Sequence, residues 1–484
     1  MKYDNIGRPT HQRVQHNGRT LLDKSYLWGD NLRLLQTLDT INRRSVRYDY
    51  DIFGSLSGAV YGDGSRQWRN PDAMGNVYDS PDRTDRSYGR GGQLREDKKW
   101  RYYYDSHGNL VLKTMRRSGP SLDARMRDEF LAWQSGDYAY TWQGNGMLRS
   151  VTRPDGKTVT FRYDALGRRI EKVFDGRVYR YLWDGDVILH EWDYAEADRP
   201  NTIVTEVGEV TLDRPEPVEN LITWVYDSDS YVPTAKIVGE RHYSIISDYI
   251  GRPVQAYDDN GNIVWQADYD IYGNIRNLHG SRKFIPFRQL GQYEDDETRL
   301  YYNRFRYYDP RIGNYISQDP IGLMGNNPTL YGYVGDLNNW ADVFGLRCKK
   351  VKKIGPSIPE FHRKNFTDGI VNMRQVSGDE IFYKYHGKSN RLGREYNYVT
   401  NKKYLSEQAL REDLALLKEW GVEIEYVTTF KPQAGTWIGE GTAAKQISQD
   451  GTEILEGTGY QGIINIKELP NSTIIKTEKV KFSL

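Results

Sequence analysis

The stretch Tyr163-Asp164-Ala165-Leu166-Gly167-Arg168 decides how this chain folds, because the same phrase returns along residues 1–275. It recurs as Tyr3-Asp4-Asn5-Ile6-Gly7-Arg8, Tyr50-Asp51-Ile52-Phe53-Gly54 and Tyr104-Asp105-Ser106-His107-Gly108-Asn109-Leu110. Two later copies are Tyr257-Asp258-Asp259-Asn260-Gly261-Asn262-Ile263 and Tyr269-Asp270-Ile271-Tyr272-Gly273-Asn274-Ile275. Each reads as a hairpin: the aromatic ends one strand, the Asp side chain bonds the turn backbone, Gly takes the positive φ, and an apolar residue begins the next strand. These are scaffold residues. Hairpins in series cannot bury an apolar face alone, so they must stack into a continuous sheet that curls or wraps.

Composition agrees. The 484 residues hold 46 Gly and 38 Tyr, 38% apolar and 27% charged residues, and the length is enough for two or more cored domains. Tyr favours strands and Gly favours tight turns. Mean hydropathy is −0.77, no apolar run approaches the length of a membrane-spanning helix, and the opening MKYDNIGRPT holds no apolar stretch to act as a secretion signal. One cysteine, Cys348, excludes a disulfide framework and Cys-rich metal sites, and eight scattered His leave little for a polyhistidine centre. Residues 193–220, with Asp-Arg-Pro twice and many acids, break the repeat and read as a long surface loop or a lost repeat.

The character changes at Arg347. Residues 347–484 carry 22 Lys+Arg against 17 Asp+Glu, a net of +5, while residues 1–346 carry 45 against 49, a net of −4. Tyr falls from 31 in the first part to 7 in the second, and the repeat phrase vanishes. A helix is expected at Ser406–Trp420, with Leu410, Leu414 and Leu417 on one face, Ser406 as cap and Gly421 as terminator. The basic run Arg347-Cys348-Lys349-Lys350-Val351-Lys352-Lys353, followed by Pro356 and Pro359, reads as a linker. A solvated charge run and a nucleic-acid contact remain open for it.

Before that boundary stands the most specific string of the chain. It runs from Arg304-Phe305-Arg306-Tyr307-Tyr308-Asp309-Pro310 through Ser317-Gln318-Asp319-Pro320-Ile321-Gly322-Leu323 to Leu330-Tyr331-Gly332-Tyr333, and closes with Asn338-Asn339-Trp340-Ala341-Asp342-Val343-Phe344-Gly345-Leu346. With the repeats, this string resembles the Rhs family of YD-repeat proteins, the polymorphic toxin carriers, over residues 1–346. The resemblance implies a mostly β fold, a repetitive hairpin sheet wrapping as a partial shell around its own C-terminal toxin. It further implies a terminus that cuts itself after the Leu of an Asp-Pro-x-Gly-Leu signature, through two aspartates acting as an aspartyl-protease-like pair. Carried over, these are Asp319 and Asp342, with the cut between Leu346 and Arg347. Two neighbouring carboxylates cannot both ionise, so one keeps a proton to polarise the carbonyl while the other activates water. The alternative is that both only cap turns beside Pro and Gly. Val343 stands where the family has Pro, which removes a fixed φ.

The resemblance also implies partners and a place of action. They are a cognate immunity protein, a specialised secretion system that exports a product made in the bacterial cytoplasm, and a target in the cytoplasm of a competitor or host cell. Family members use a longer repeat array, whereas 346 residues hold at most about seventeen units of roughly twenty residues. Met1 is therefore expected to start a fragment, a truncated frame or a shell completed by a missing N-terminal segment. The expected domains are 1–300 (shell), 301–346 (self-cleaving element), 347–375 (linker) and 376–484 (toxin).

In the tail, two histidines, His362 and His386, and one cysteine argue against an HNH-type metal nuclease, a zinc deaminase and a Cys–His hydrolase, so no metal is expected. The motifs that remain are Ile381–Gly387, Arg391–Thr400, Pro432–Gly441 and Gly457–Ile464, in the order strand, strand, helix, strand, Gly-rich turn, strand. Over about residues 380–466 this order resembles the ADP-ribosyltransferase-type toxin domains, including those that hydrolyse NAD, and implies a small α+β domain with NAD as substrate. On that resemblance His386 would hold the adenosine ribose, Tyr398 and Thr400 would line the nicotinamide pocket, Gln461 would occupy the catalytic acidic position, and Tyr385 or Tyr460 could stack on a base or on nicotinamide. Breaking the nicotinamide–ribose bond passes through an oxocarbenium-like state, which needs positioning hydrogen bonds more than a nucleophile. Gln cannot supply the charge of Glu, which favours NAD hydrolysis or nucleic-acid modification over protein modification; Glu453 and Glu456 could take the acidic role. Two other classes stand beside this one: an RNA- or DNA-directed nuclease toxin, suggested by the basic tail, and an inert displaced repeat fragment.

Overall fold

The structure is a computed structural model that describes all residues except 5, 30–31, 117–132, 228–229, 328, 348, 351–357, 388–395, 466–473 and 483–484. Of the expected linker 347–375, residues 348 and 351–357 lie outside the described residues, as does the Arg391–Glu395 part of a tail motif; the rest of that linker is structured, with a helix at Glu360–Arg363 and a sheet strand at Asn372–Gln375. Among the described residues, no helix is long and apolar enough to cross a membrane. The fold is mostly β and divides into two units, Ser45–Val351 and Met1–Arg44 with Lys352–Leu484.

In Ser45–Val351 the repeat phrase becomes a ladder. A sheet of 16 strands runs from Ser87–Tyr88 to Ile275–His279, every neighbour antiparallel and every strand beside the next in sequence but for one skip. At that skip Val187–Ala195 pairs directly with Glu219–Tyr226, and the segment between them forms its own exposed hairpin, Thr202–Val204 against Val210–Leu212. The stretch expected as a long surface loop or a lost repeat thus holds an exposed hairpin outside the ladder. Turns of the repeat phrase share one scheme: Leu166 N and Arg168 N donate to Asp164 Oδ1, both at 2.9 Å, and Gly167 N donates to Asp164 O at 3.1 Å. The same contacts recur at Asp105 and Asp258. Asp satisfies turn donors that a sheet leaves unpaired.

The junction string supplies what those turns dock on. Together with the residues just before it, it forms a four-stranded sheet of Tyr293–Asp295, Leu300–Asn303, Arg306–Asp309 and Asn314–Tyr315. Its tyrosines are buried, and the hydroxyls of Tyr301, Tyr302 and Tyr308 donate to carbonyls of the repeat turns. Tyr302 donates to Gly167 O at 2.9 Å, Tyr301 to Gly273 O at 3.2 Å and Tyr308 to Tyr272 O at 2.7 Å. Farther along, Tyr331 donates to Gly108 O at 2.6 Å. A buried phenol needs such a partner, and the turn carbonyls provide it. Arg169, next to one such turn, reaches Asp295 at 2.6 Å, both side chains all but inaccessible, so removal of Asp295 would strand the buried Arg169 charge. Gly167 has φ +72°, and a Cβ there would stand 2.6 Å from Phe305 Cε1. Gly167→Ala is expected to cost about 1–3 kcal/mol from backbone strain and the Phe305 contact, read as a lowered thermal transition of the full chain.

In the other unit a sheet runs Tyr396–Val399, Tyr460–Asn465, Trp437–Thr442, Asn372–Gln375, Lys2–Tyr3, Pro9–His16, Arg19–Trp28, Leu34–Asp39. Lys2 and Tyr3 pair antiparallel with Arg374 and Met373, so the first strands of the chain share a sheet with strands of the tail. A second sheet orders Phe382–His386, Tyr426–Phe430 and Ile474–Lys479. The expected helix is shorter than Ser406–Trp420. It spans Glu407–Leu414, with the Ser406 side chain accepting from Ala409 N at 3.1 Å as its cap. It stops because Ala415 turns left-handed, φ +49°, and a separate short turn, Lys418–Trp420, ends at Gly421. That turn tucks Leu417 into a small core with Ala415 and Leu455.

Candidate functional site

Two groups of residues were expected to carry chemistry, and each lies within one unit. In Ser45–Val351, Asp319 and Asp342 share Arg306. Its Nη2 lies 2.9 Å from Asp319 Oδ2 and 3.1 Å from Asp342 Oδ2, and all three side chains are no more than 1% exposed. Arg306 is held in turn by the Tyr315 ring, 3.6 Å below its guanidinium, and by its Nε donating to Gly345 O. The strand Arg306–Asp309 therefore brings together two aspartates that lie 23 residues apart in the chain.

The two carboxyls are differently placed. Asp342 accepts on both oxygens: Oδ2 from Arg306 and from the Tyr315 hydroxyl at 3.0 Å, Oδ1 from Leu346 N at 2.9 Å and from Arg347 N at 3.1 Å. Asn303 fixes this corner, donating to the Asp342 carbonyl at 2.7 Å and to the Tyr315 hydroxyl at 2.6 Å. Asp319 Oδ1 accepts from Ile321 N at 3.0 Å, while its Oδ2, though close to Arg306, makes no hydrogen bond of proper geometry. Burial pushes the Asp319 carboxyl above the usual carboxylate range, the nearby Arg306 opposing and Asp342 adding to the shift.

The Leu346–Arg347 bond lies against this pair. A Cβ built on Gly325 would stand 2.4 Å from Leu346 O and 2.8 Å from Asp319 Oδ2, so the carbonyl oxygen and the Asp319 carboxyl converge on the space that Gly325 leaves empty. Val343 packs its backbone over Gly291, whose Cβ would meet Val343 O at 2.2 Å. Arg306, Tyr315, Asn303 and Gly325 all stood in the quoted string or beside it, but nothing in the spacing of the string marks them as neighbours of Asp319 and Asp342.

In the tail unit, a cleft of about 740 Å³ is lined by Tyr385, Tyr398, Thr400 and Gln461 among the expected residues. Burial raises the Tyr385 and Tyr398 phenols above their ordinary range. The structure departs from expectation at His386 and Tyr460, neither of which lines the cleft. His386 is buried, with Nε2 on Thr428 Oγ1 at 2.8 Å, Nδ1 on Gly387 O at 2.7 Å, and its ring stacked on Tyr426. Its Nε2 thus ties its strand to Tyr426–Phe430. The Tyr460 hydroxyl donates to Glu440 Oε2 at 2.9 Å, within an ion-pair group with Arg374 and Glu380. Glu453 accepts from Lys418 N and Glu456 pairs with Lys445, so neither upstream acid lines the cleft.

Sequence reasoning missed the histidine that does line the cleft. His362 Nδ1 lies 2.8 Å from the Tyr398 hydroxyl, and its ring packs 4.9 Å from that of Tyr396. Asn365 and Lys384 line the same space. No motif signalled His362, because it comes from the short helix Glu360–Arg363, outside the strand pattern.

The family described as Teneurin YD-shell matches residues 1–329. Double-stranded DNA deaminase toxin A of Burkholderia cenocepacia is 31% identical over 382 residues, 71% of this chain and 24% of that protein. Probable deoxyribonuclease RhsA of Dickeya dadantii is 32% identical over 268 residues, 53% of this chain and 16% of that protein. The chain thus spans a quarter or less of the length of these two relatives. Among solved structures, the crystal structure of TcdB2-TccC3-TEV is similar over 70% of this chain and 19% of that chain, at 17% identity and a TM-score of 0.39.

Proposed function

We propose that this chain, which belongs to the Teneurin YD-shell family, is a toxin carrier of Rhs type that cuts itself after Leu346 and releases an NAD-consuming C-terminal domain. The observation that carries the first step is the convergence of Asp319, Asp342 and Arg306 on one peptide bond. In this reading Asp319, biased by burial toward its protonated form, donates toward the Leu346 carbonyl oxygen. Asp342 takes a proton from the attacking water. The water oxygen bonds to the Leu346 carbonyl carbon, the carbon–nitrogen bond breaks, and the proton held by Asp342 passes to Arg347 N, 3.1 Å away. Arg306 offsets the charge of the pair. A cognate immunity protein would be the partner of the freed domain, export by a secretion system its route, and the cytoplasm of a competitor or host cell its place of action.

The cleft supports the second step. Aromatic rings and hydrogen-bonding side chains together suit a nucleotide, whose bases stack and whose ribose hydroxyls need acceptors. NAD would be substrate there, with water attacking the ribose carbon, the glycosidic electron pair leaving on nicotinamide, and a proton released to solvent. The full chain incubated with NAD is expected to form nicotinamide, and Gln461→Ala to lower that rate about tenfold or more, by chromatography of the products. A second reading, nucleic-acid chemistry, is favoured by the basic tail and by the relatives named as a DNA deaminase and a probable deoxyribonuclease. Intact NAD together with cut or deaminated DNA, or cut RNA, would establish it in place of the first, and a chain that alters neither would be an inert repeat fragment.

A further inference from the structure

The NAD reading of the cleft, on which this inference rests, gives substrate roles to Tyr398 and Gln461, and one residue outside that set touches both. Asn365 Nδ2 donates to the Tyr398 hydroxyl oxygen at 2.6 Å. The backbone carbonyl of the same residue accepts Gln461 Nε2 at 2.9 Å and Ala444 N at 3.0 Å, as its two lone pairs allow. Asn365 is itself held in the turn after Glu360–Arg363, its N–H donating to His362 O at 3.2 Å. Tyr398 and Gln461 lie on neighbouring strands, Tyr396–Val399 and Tyr460–Asn465, where Tyr398 pairs with Ile463 and not with Gln461. The sheet alone therefore does not tie the two side chains together.

We propose that Asn365 is the positioning residue of the cleft, orienting the two groups on which substrate would be held. With Asn365 donating into the phenol oxygen, the Tyr398 proton is left to His362 Nδ1 at 2.8 Å or to a substrate acceptor. With its amide N–H given to Asn365, Gln461 keeps Oε1 as its acceptor for a ribose hydroxyl. The two arms separate in experiment, because one uses the Asn365 side chain and the other its backbone. Asn365→Ala removes only the Tyr398 arm.

The test is a double-mutant cycle on nicotinamide formation by the full chain, with Asn365→Ala, Tyr398→Phe and the pair, each checked for an unchanged thermal transition. The expectation is that Asn365→Ala lowers kcat about tenfold while KM moves less than about threefold, and that the double variant is no slower than Tyr398→Phe alone. Asn365→Asp, similar in size but facing the phenol oxygen with acceptors, should fail to rescue. A chain that consumes NAD while Asn365→Ala matches the parent, or adds its full effect to that of Tyr398→Phe, overturns this inference and leaves the cleft reading standing. A chain that leaves NAD intact overturns both.

Discussion

Gly325→Ala is expected to leave the chain folded and almost wholly uncut. The added methyl carbon would stand 2.4 Å from Leu346 O and 2.8 Å from Asp319 Oδ2, well inside van der Waals contact, and one of these is backbone and cannot swing away. The Leu346 carbonyl would have to withdraw from Asp319, and displacement of a reacting group by about 1 Å costs on the order of a hundredfold in rate. Gly325 does not have the positive φ that would make alanine costly by itself. The effect should therefore fall on cleavage more than on stability. Gel electrophoresis of freshly purified protein should show one full-length band for the variant and two fragments for the parent, the second beginning at Arg347 by terminal sequencing. Two fragments in both would show that the carbonyl does not react in the place where the structure holds it.

The second large effect belongs to Asp342→Asn. The amide keeps the size of the carboxyl but replaces one acceptor oxygen by a donor, facing either Leu346 N and Arg347 N or Arg306 and the Tyr315 hydroxyl. As the proton carrier of the proposed reaction, Asp342 contributes about 10²–10⁴-fold, and the variant should run as a single band over days. The pH dependence follows from its neighbour. Burial raises the Asp319 carboxyl, and the reaction needs that carboxyl protonated, so cleavage should slow as pH rises through the raised value and quicken below it. The same shift bears on stability. A folded-state value above the unfolded one gives a contribution that is fully present below the ordinary carboxylate range and lost as pH rises through the folded value. A time course of fragment formation across pH, with rates that climb on alkalinisation, would contradict the assignment of Asp319 as the acid.

What could be read directly was local. The Tyr-Asp-x-x-Gly phrase determines its hairpin turn because Asp and Gly satisfy donors and dihedral angles within five residues, and the structure shows that turn at copy after copy. Ser406 is legible as a cap for the same reason, its partner Ala409 lying three residues on. The pair Asp319 and Asp342 was legible through the junction string, and their candidate bond with it.

The rest depended on contacts between residues far apart in sequence. That Arg306 stands between the two aspartates, and that Gly325 opens room for the Leu346 carbonyl, follows from how short strands and turns pack, which no spacing encodes. His386 carried the motif but lies outside the cleft, one nitrogen on Thr428 of a neighbouring strand and the other on Gly387 O, while His362, without a motif, reaches Tyr398 because a helix of four residues sets it there. Residues 1–44 read as shell repeats, and their hairpin grammar is sound, yet strand edges pair by register and availability, and Lys2 and Tyr3 found theirs on Arg374 and Met373. Turn chemistry is short-range and written in each copy of the repeat. Strand partners and the geometry of the sites are long-range, and only the tertiary structure decided them.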